Sequence, residues 1–154
     1  MQGKAGSRLK LPVLELPHFQ GLSLPRYVTD GAAGVDLPAA IHEPLTLSPG
    51  DIRLVPTGLC VAIPSGYEIQ IRPRSGLAIK HGITVVNAPG TIDSDYRGEI
   101  KIGLINLGKD DFTIERGMRI AQAILSRTFR IHWEECDSLP ESSRGEGGFG
   151  HTGV

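Results

Sequence analysis

The stretch YEIQIR, residues 67–72, alternates apolar and polar side chains with a period of two. The same alternation recurs in EIKIGL, residues 99–104. A longer run has one parity occupied by Ala121, Ala123, Leu125, Phe129, Ile131 and Trp133. Such alternation is typical of half-buried strands. These stretches therefore predict an all-β fold.

Other parts of the chain predict further short strands. Residues 52–55 and 59–63 indicate two strands joined by Pro56-Thr57-Gly58, a turn-forming sequence. Pro12 lies inside the first apolar run, and because proline cannot donate to a sheet ladder, this run predicts an edge strand. The best helix candidate, residues 76–81, is one or two turns long. Many short strands separated by turn residues favour a sandwich or barrel.

The composition indicates one soluble globular domain. The chain has 154 residues, 40% of them hydrophobic and 21% charged. A net charge of −1 gives no overall attraction to nucleic acid or to an anionic membrane, so neither is expected as a partner. We find no signal-peptide pattern and no apolar run near the roughly 20 residues of a membrane span. The two cysteines, Cys60 and Cys136, are expected to be free and mostly packed, in a cytoplasmic protein.

The C-terminal stretch differs from the rest of the chain. Residues 138–154, SLPESSRGEGGFGHTGV, have few apolar residues and no period. That composition is typical of a flexible tail. Arg144 and Phe149 nevertheless offer a bidentate phosphate donor and an aromatic anchor. We therefore expect a β-domain over residues 1–137 and a glycine-rich functional arm over residues 138–154.

Two segments carry residues suited to chemistry on a phosphorylated ligand. In RPRSGLA, residues 72–78, Arg74 can donate two N–H groups to a phosphate, and Ser75 adds a hydroxyl. In NAPGTIDSDYRGE, residues 87–99, a tight loop or hairpin carries Asp93 and Asp95. Its backbone groups could read the edge of a flat ring, and a carboxylate there could act as general base. Ordinary turn chemistry is the competing interpretation.

Three weaker signals complete the set. AGVDL, residues 33–37, puts Asp36 on a short strand, and RIAQ, residues 119–122, puts Gln122 on the face opposite its alanine neighbours. RGEGGFGHTG, residues 144–153, is glycine-rich but lacks the Lys-Ser/Thr ending of a P-loop. The histidines show no metal-ligand spacing, and a GxSxG nucleophile motif is absent.

Taken together and in this order, AGVDL, RPRSGLA, NAPGTIDSDYRGE, RIAQAI and RGEGGFGHTG resemble the signature motifs of the trimeric dUTPase family. The resemblance spans Ala33 to Gly153. It implies a jelly-roll-like β-barrel, assembled as a homotrimer with active sites between subunits and a flexible C-terminal arm that closes over a neighbour's site. It also implies Mg²⁺-dependent hydrolysis of dUTP to dUMP and pyrophosphate, which supplies dUMP for dTTP synthesis and keeps uracil out of DNA.

The resemblance assigns the catalytic roles. Asp93 would activate the water that attacks the α-phosphorus in line. Asp36 would help to organise the metal and water region, contacting Mg²⁺ indirectly through water. The substrate phosphates would hold most of the Mg²⁺ coordination sphere, which suits a cation that keeps much of its hydration shell.

The resemblance also assigns substrate contacts. Arg74, Ser75 and Gln122 match phosphate-binding positions, with Gly76 beside them. Uracil would be read by Asn87 and by the backbone of the segment that includes Gly90, Thr91 and Ile92, while Tyr96 would pack under the deoxyribose. From the arm, Arg144 would bind the γ-phosphate and Phe149 would stack on uracil, followed by Gly150 and His151. His151 departs from the family, which usually has serine there, so we expect a weaker, more pH-sensitive closure of the arm.

Two alternatives stay open from the sequence. A dCTP deaminase or bifunctional deaminase–pyrophosphatase shares this fold, although GTIDSDYRGE at residues 90–99 matches the uracil-reading form. A non-enzymatic binding module would need no general base, and so would not explain Asp93 beside the Arg74 and Gln122 motifs.

Overall fold

Two antiparallel four-stranded sheets form the body of the computed structural model, which describes residues 9–148. The first sheet has the order β1-β4-β8-β6 and the second β2-β10-β5-β7, while β3 and β9 form a separate two-stranded sheet. In chain order the elements are β1 Val13–Glu15, a 3-10 helix Pro17–Phe19, β2 Val35–Pro38, β3 Leu45–Leu47, β4 Ile52–Val61, β5 Tyr67–Arg72, α1 Ser75–His81, β6 Ile83–Val85, β7 Gly90–Ile92, β8 Glu99–Asn106, β9 Phe112–Ile114 and β10 Arg119–Arg127. The predicted all-β, jelly-roll-like fold is confirmed.

The alternating residues supply the core between the two sheets. Ile69 and Ile71 of β5 are buried, as are Ile100, Ile102 and Leu104 of β8. The intervening positions face outward, because successive side chains of a strand point to opposite faces. The predicted short helix is present as α1, and β1 lies at a sheet edge as Pro12 indicated.

The interpretation of residues 52–63 as two strands was wrong. They form one long strand, β4, which ends at Val61 and carries a register shift between Pro56 and Cys60. Thr57 donates its hydroxyl to Ile100 O at 2.6 Å, and Gly58 adopts φ +72°. The Pro-Thr-Gly sequence therefore makes a β-bulge, which bends a strand without ending it.

The predicted strand up to Trp133 is also wrong. β10 ends at Arg127, and Thr128 N–H donates to Gly66 O just beyond its end. Phe129, Ile131 and Trp133 are then 93%, 74% and 83% exposed. Among residues 9–148 no strand pairs with this stretch, and alternation without a paired edge does not make a strand. Cys136, expected to be packed, is exposed, whereas Cys60 is half-buried.

The segment around Asp93 is a loop between sheets, so the hairpin alternative was wrong. β7 pairs with β5 in the second sheet, whereas β8 pairs with β4 and β6 in the first. The strands that flank the loop are thus not partners of each other. Within residues 9–148 no helix has the length and hydropathy needed to cross a membrane.

Candidate active site

Asp36, Arg74 and Arg119 form a group of charges that we call the arginine cluster. Arg74 Nε donates to Asp36 Oδ1 and Arg119 Nη1 donates to Asp36 Oδ2, both at 3.1 Å. Arg74 Nη1 also donates to Arg119 O at 3.0 Å. Charge-assisted hydrogen bonds of this kind fix the planes of the guanidinium groups. Asp36 thus orients two arginines toward the same region of the surface.

Strand register explains why these residues meet. Asp36 on β2 lies directly opposite Gln122 on β10, which lies opposite Arg72 on β5. Directly opposed residues share a face of the sheet. Their face is the outer one, because the adjacent Ala121 and Ala123 are buried in the core. The predicted residues Asp36 and Gln122 are therefore brought into one row with Arg72, the first residue of the RPRSGLA motif.

Ser75 and Gly76 begin α1 immediately after Arg74 and are both exposed. Arg74 is the helix N-cap residue, with extended backbone angles. The end of β5 and the start of α1 thus place the predicted phosphate contacts beside the arginine cluster.

Asp93 lies in a second, separate concavity, which we call the aspartate pocket. Its carboxylate side chain is exposed. The pocket is lined by Leu54, Thr91, Ile92, Asp93, Tyr96, Glu99 and Lys101. The outer faces of β4 and β8 form one wall and the Asp93 loop forms the other. A carboxylate open to the pocket can orient a water or accept its proton.

Local hydrogen bonds shape the Asp93 loop. Tyr96 N–H donates to Asp93 O at 3.2 Å, and Tyr96 Oη donates to Glu99 O at 2.9 Å. Arg97 Nη1 donates to the carbonyl oxygens of Ser94 and Tyr96 at 2.7 and 2.9 Å. The Tyr96 ring crosses Gly98 so closely that a Cβ there would lie 2.5 Å from the hydroxyl. The absence of a side chain at residue 98 therefore sets the position of the tyrosine.

Asn87 and Gly90 lie at the start of the same segment. A Cβ on Gly90 would come 3.2 Å from the Cβ of Ile71 and 3.3 Å from Asn87 Nδ2. Asn87 is exposed and Gly90 is buried against β5. Asn87 and Gly90, which were predicted to read the uracil edge, thus lie before and at the first residue of β7. The next residues of β7, Thr91 and Ile92, line the aspartate pocket.

One chain does not bring the two predicted halves of the site together. Ile92 lies opposite Ile69, so Asp93 continues toward the Glu68 end of β5, away from Arg72. That displacement is roughly 13 Å along the strand at ordinary strand rise. β2 and β7 are also three strand spacings apart in the sheet order, about 14 Å. Asp93 and Asp36 are therefore separated by roughly 20 Å.

The C-terminal residues are only partly described. Arg144 is exposed, and its Nε donates to Gly147 O at 2.6 Å within a local turn. Phe149, Gly150 and His151 lie outside the described residues.

Oxygen donors dominate the candidate metal region. In the part of the chain between residues 9 and 148, no group of three or more His, Cys, Asp or Glu side chains is arranged to hold a metal. Asp93 offers an open carboxylate, and both Asp36 oxygens already accept guanidinium hydrogen bonds. A single open carboxylate fits a hydrated Mg²⁺ that substrate phosphates would hold for the most part.

Several contributors were missed from the sequence. Arg119 carries no functional signal beyond its place at the start of the RIAQAI motif, yet it holds Asp36. Leu54, Glu99 and Lys101 line the aspartate pocket from strands with no chemical signal of their own. The alternation along β4 and β8 indicated that these side chains face outward. It could not show which part of the sheet the Asp93 loop would approach.

Comparison with known proteins agrees with the residues seen here. The dUTPase family model matches residues 21–153. A deoxyuridine 5'-triphosphate nucleotidohydrolase from Rickettsia felis is 60% identical over 145 residues, covering 94% of this chain and 97% of that protein. A protein of the same name from Rickettsia bellii is 59% identical, covering 94% of this chain and 96% of its own length.

Solved structures agree as well. The dUTPase of Staphylococcus bacteriophage 80alpha, determined with dUPNHPP, superposes with a TM-score of 0.84 at 25% identity, covering 94% of this chain and 99% of that one. A variant dUTPase of phage phi11 of S. aureus, described with a structural Mg(II) ion, has a TM-score of 0.75 at 20% identity, covering 85% and 99% of the two chains.

The fold, the arginine cluster and the aspartate pocket, together with these matches, define an enzyme that hydrolyses a nucleotide. More particularly, the chain belongs to the dUTPase family and is a dUTP diphosphatase. The deaminase and binding-module alternatives are set aside by the names of relatives that share about 60% of its sequence.

Proposed function

We propose that the enzyme converts dUTP to dUMP and pyrophosphate by in-line attack of water on the α-phosphorus, with Asp93 as the general base. The bond from the water oxygen to the α-phosphorus forms as the bond to the bridging oxygen of pyrophosphate breaks. The exposed carboxylate in the aspartate pocket supports this role. The products would supply dUMP for dTTP synthesis and keep uracil out of DNA.

The distance between the arginine cluster and the aspartate pocket supports the proposal that each active site lies between subunits of a homotrimer. A single chain holds Asp93 roughly 20 Å from the arginine cluster, too far for both to act on one α-phosphate. Neighbouring copies would bring the aspartate pocket of one chain to the arginine cluster of the next. The exposed apolar side chains of Phe129, Ile131 and Trp133 support this assembly, since exposed apolar stripes mark interaction surfaces.

The arginine cluster would bind the triphosphate. Arg74, Gln122, Ser75 and Gly76 would contact phosphate oxygens, while Asp36 keeps the guanidinium groups aimed. Neutralising the charge that develops during phosphoryl transfer is the main catalytic task of a protein in such reactions. Arg144, carried by an arm spanning residues 138–154, would add a cation over the γ-phosphate.

The aspartate pocket would select base and sugar. Asn87 and the backbone of Gly90, Thr91 and Ile92 would hydrogen-bond the uracil edge, and Tyr96 would pack under the deoxyribose where a 2′-hydroxyl has no room. Sites that hydrogen-bond a substrate edge can discriminate by about 10⁴-fold against the wrong pattern. Phe149 would stack on the base, with Gly150 and His151 completing the closure.

Mg²⁺ would be held by substrate phosphates and, through water, by Asp36 or Asp93. When bound it would neutralise phosphate charge and fix the triphosphate conformation. The chain's own groups orient the water and the base. The substrate is a soluble nucleotide, which suits a cytoplasmic location.

Mixing two inactive variants tests the composite site directly. Asp93→Asn and Arg74→Ala should each lower pyrophosphate release from dUTP by at least about a hundredfold. Co-refolded at equal amounts, they should regain about a quarter of the parent activity, because random assembly makes that share of intersubunit sites intact. Sites built within one chain would regain nothing.

Substrate controls complete the test. The parent enzyme should release pyrophosphate from dUTP with Mg²⁺ and leave dTTP, dCTP and UTP almost untouched. No release from dUTP would overturn the reaction, and ammonia release from dCTP would reveal a deaminase.

A further inference from the structure

We propose that Glu99 is a positioning residue that sets the place of Asp93 by fastening the exit of its loop to the N-terminal segment. This inference rests on the proposed function, because it assumes that Asp93 acts in turnover. Glu99 lines the aspartate pocket, but its Oε1 is occupied by His18 and Gly58. It would act through the backbone that connects it to the loop.

Glu99 accepts two hydrogen bonds at a single oxygen. His18 Nε2 lies 2.6 Å from Glu99 Oε1, and Gly58 N–H donates to the same oxygen at 2.8 Å. A carboxylate can only accept, so the histidine nitrogen is the donor. The Glu99 side chain is only 12% exposed, and Lys101 Nζ lies 3.8 Å from its other oxygen. A nearly buried carboxylate with these partners has little freedom to move.

The Gly58 contact explains why residue 99 needs a side-chain acceptor. Gly58 lies in the bulge of β4, where the register with β8 is interrupted between Pro56 and Cys60. A bulge leaves backbone groups without their ladder partners. Glu99 begins β8 opposite Cys60, and its side chain reaches back to pair the Gly58 N–H. The carboxylate therefore replaces a missing sheet hydrogen bond.

The partners of Glu99 belong to a rigid unit. Phe19, next to His18, is 1% exposed, and a Cβ on Gly58 would lie 2.8 Å from the Cβ of Phe19. Leu16 N–H donates to Gly58 O at 2.8 Å. Arg116 donates to the carbonyl oxygens of His18 and Gln20 at 2.9 and 2.7 Å. The position of His18 is thus fixed by its neighbours, and its hydrogen bond can hold the Glu99 side chain in place.

The loop connects to this position through Glu99. Tyr96 Oη donates to Glu99 O, and Tyr96 N–H donates to Asp93 O. At its other end the loop is fixed by Ile92, which pairs with Ile69 in the second sheet. Asp93 is therefore suspended between two sheets, and Glu99 is the attachment on the first. Releasing this attachment should let the Asp93 carboxylate wander while the arginine cluster stays intact.

Kinetics of Glu99→Ala and Glu99→Gln test the proposal. A displacement near 1 Å in a catalytic group can cost about a hundredfold. We expect Glu99→Ala to lower kcat for dUTP by about ten- to a hundredfold, with the Kd for the non-hydrolysable analogue dUPNHPP changing less than about threefold. Glu99→Gln keeps an acceptor for Gly58 N–H and should restore kcat to within about threefold of the parent.

Asp51→Ala is the matched control. Asp51 accepts from Ser48 N–H at 3.2 Å and from Arg53 Nη2 at 3.3 Å, so it also joins a backbone amide and a side chain. Asp51 lies just before the first residue of β4, at the end of the strand away from Gly58, and none of its hydrogen bonds reaches the Asp93 loop. Its loss should lower the melting temperature and leave kcat unchanged. A fall in kcat equal to that of Glu99→Ala would reduce Glu99 to a general stabiliser and overturn the proposal.

His18→Ala covers the case in which Glu99→Ala does not fold. The His18→Ala substitution removes one hydrogen-bond partner of Glu99 and leaves the Gly58 contact in place, so kcat should fall by about two- to fivefold. The size of this fall should differ when Glu99→Gln is also present, because the two residues are in contact. If Glu99→Ala does not fold, full kcat in His18→Ala with an active parent would by itself reject the inference; if Glu99→Ala folds, full kcat in that variant would reject it. An inactive parent would instead reject the proposed reaction, so the two failures are distinguishable.

Discussion

Arg119 Nη1 lies 3.1 Å from Asp36 Oδ2, and through this contact an exposed arginine on β10 is aligned with the row formed by Asp36 and Gln122. Asp36 Oδ1 accepts from Arg74 in the same way. One carboxylate thereby orients two cations, and the geometry of the arginine cluster depends on it.

Asp36→Asn should disorder the arginine cluster. A carboxamide has one acceptor oxygen, and its NH₂ group would face a guanidinium. We expect kcat/KM for dUTP to fall by about ten- to a hundredfold. The free energy of unfolding should also fall, by about 1–3 kcal/mol, because the Asp36 side chain is only 16% exposed and loses charge-assisted hydrogen bonds to two arginines. Asp51→Asn, which disturbs another carboxylate–arginine pair, serves as control and should keep full activity. Normal kinetics in Asp36→Asn would contradict this role.

Gly98→Ala should displace Tyr96. The new methyl would lie 2.5 Å from the tyrosine hydroxyl, so the ring must swing away and lose its bond to Glu99 O. If Tyr96 supports the deoxyribose, KM for dUTP should rise about tenfold and discrimination against UTP should fall. Steady-state assays with both nucleotides would measure this. Gly31→Ala has open space around its Cβ and should match the parent.

Asn106→Ala should destabilise the barrel without touching the site. Asn106 is fully buried, donates to Leu47 O and Asp110 O, and accepts from Gly108 N–H. Its removal leaves these backbone groups unpaired, at a total cost of about 3 kcal/mol. Denaturant unfolding at fixed protein concentration would measure the loss. Thr46→Ala breaks an exposed hydroxyl pair with Thr113 and should cost less than about 0.5 kcal/mol.

Arg144→Ala tests the C-terminal arm. An arginine that reaches a transferring phosphate can contribute about 10³-fold or more, so turnover should fall by at least about a hundredfold while the melting temperature stays the same. Glu141→Gln changes a charge on the same arm and should leave the rate unaltered. Equal rates in both variants would remove Arg144 from the site.

Strand positions in the barrel could be predicted well because burial on one face imposes alternation. Ile69 and Ile71, or Ile100 and Ile102, can satisfy that pattern in only one way. The same rule failed beyond Arg127, since Phe129 and Ile131 alternate but pair with no strand in the described part of the chain. It also failed at Pro56-Thr57-Gly58, where turn-forming residues make a bulge because Thr57 bonds the neighbouring strand.

The site was harder to predict than the fold. Motif order indicated Asp36, Arg74, Asp93 and Gln122, and the resemblance implied sites between subunits, but neither showed that Asp93 is the residue that one chain separates from the others. That separation comes from β7 and β10 lying on opposite sides of β5, a topological fact with no local sequence signal. Glu99 ends the third motif, but its contacts could not be predicted for a related reason, since its partners His18 and Gly58 are distant in sequence.

The Asp93 loop leaves one sheet at Ile92 and enters the other at Glu99. Its span therefore measures the gap between the two layers, which the interior side chains maintain. A smaller residue at Ile100 or Ile71 would let the layers approach each other, and the carboxylate would shift although nothing near it had changed. Random mutagenesis screened for altered turnover should accordingly recover substitutions in the hydrophobic core as well as at the rim of the aspartate pocket.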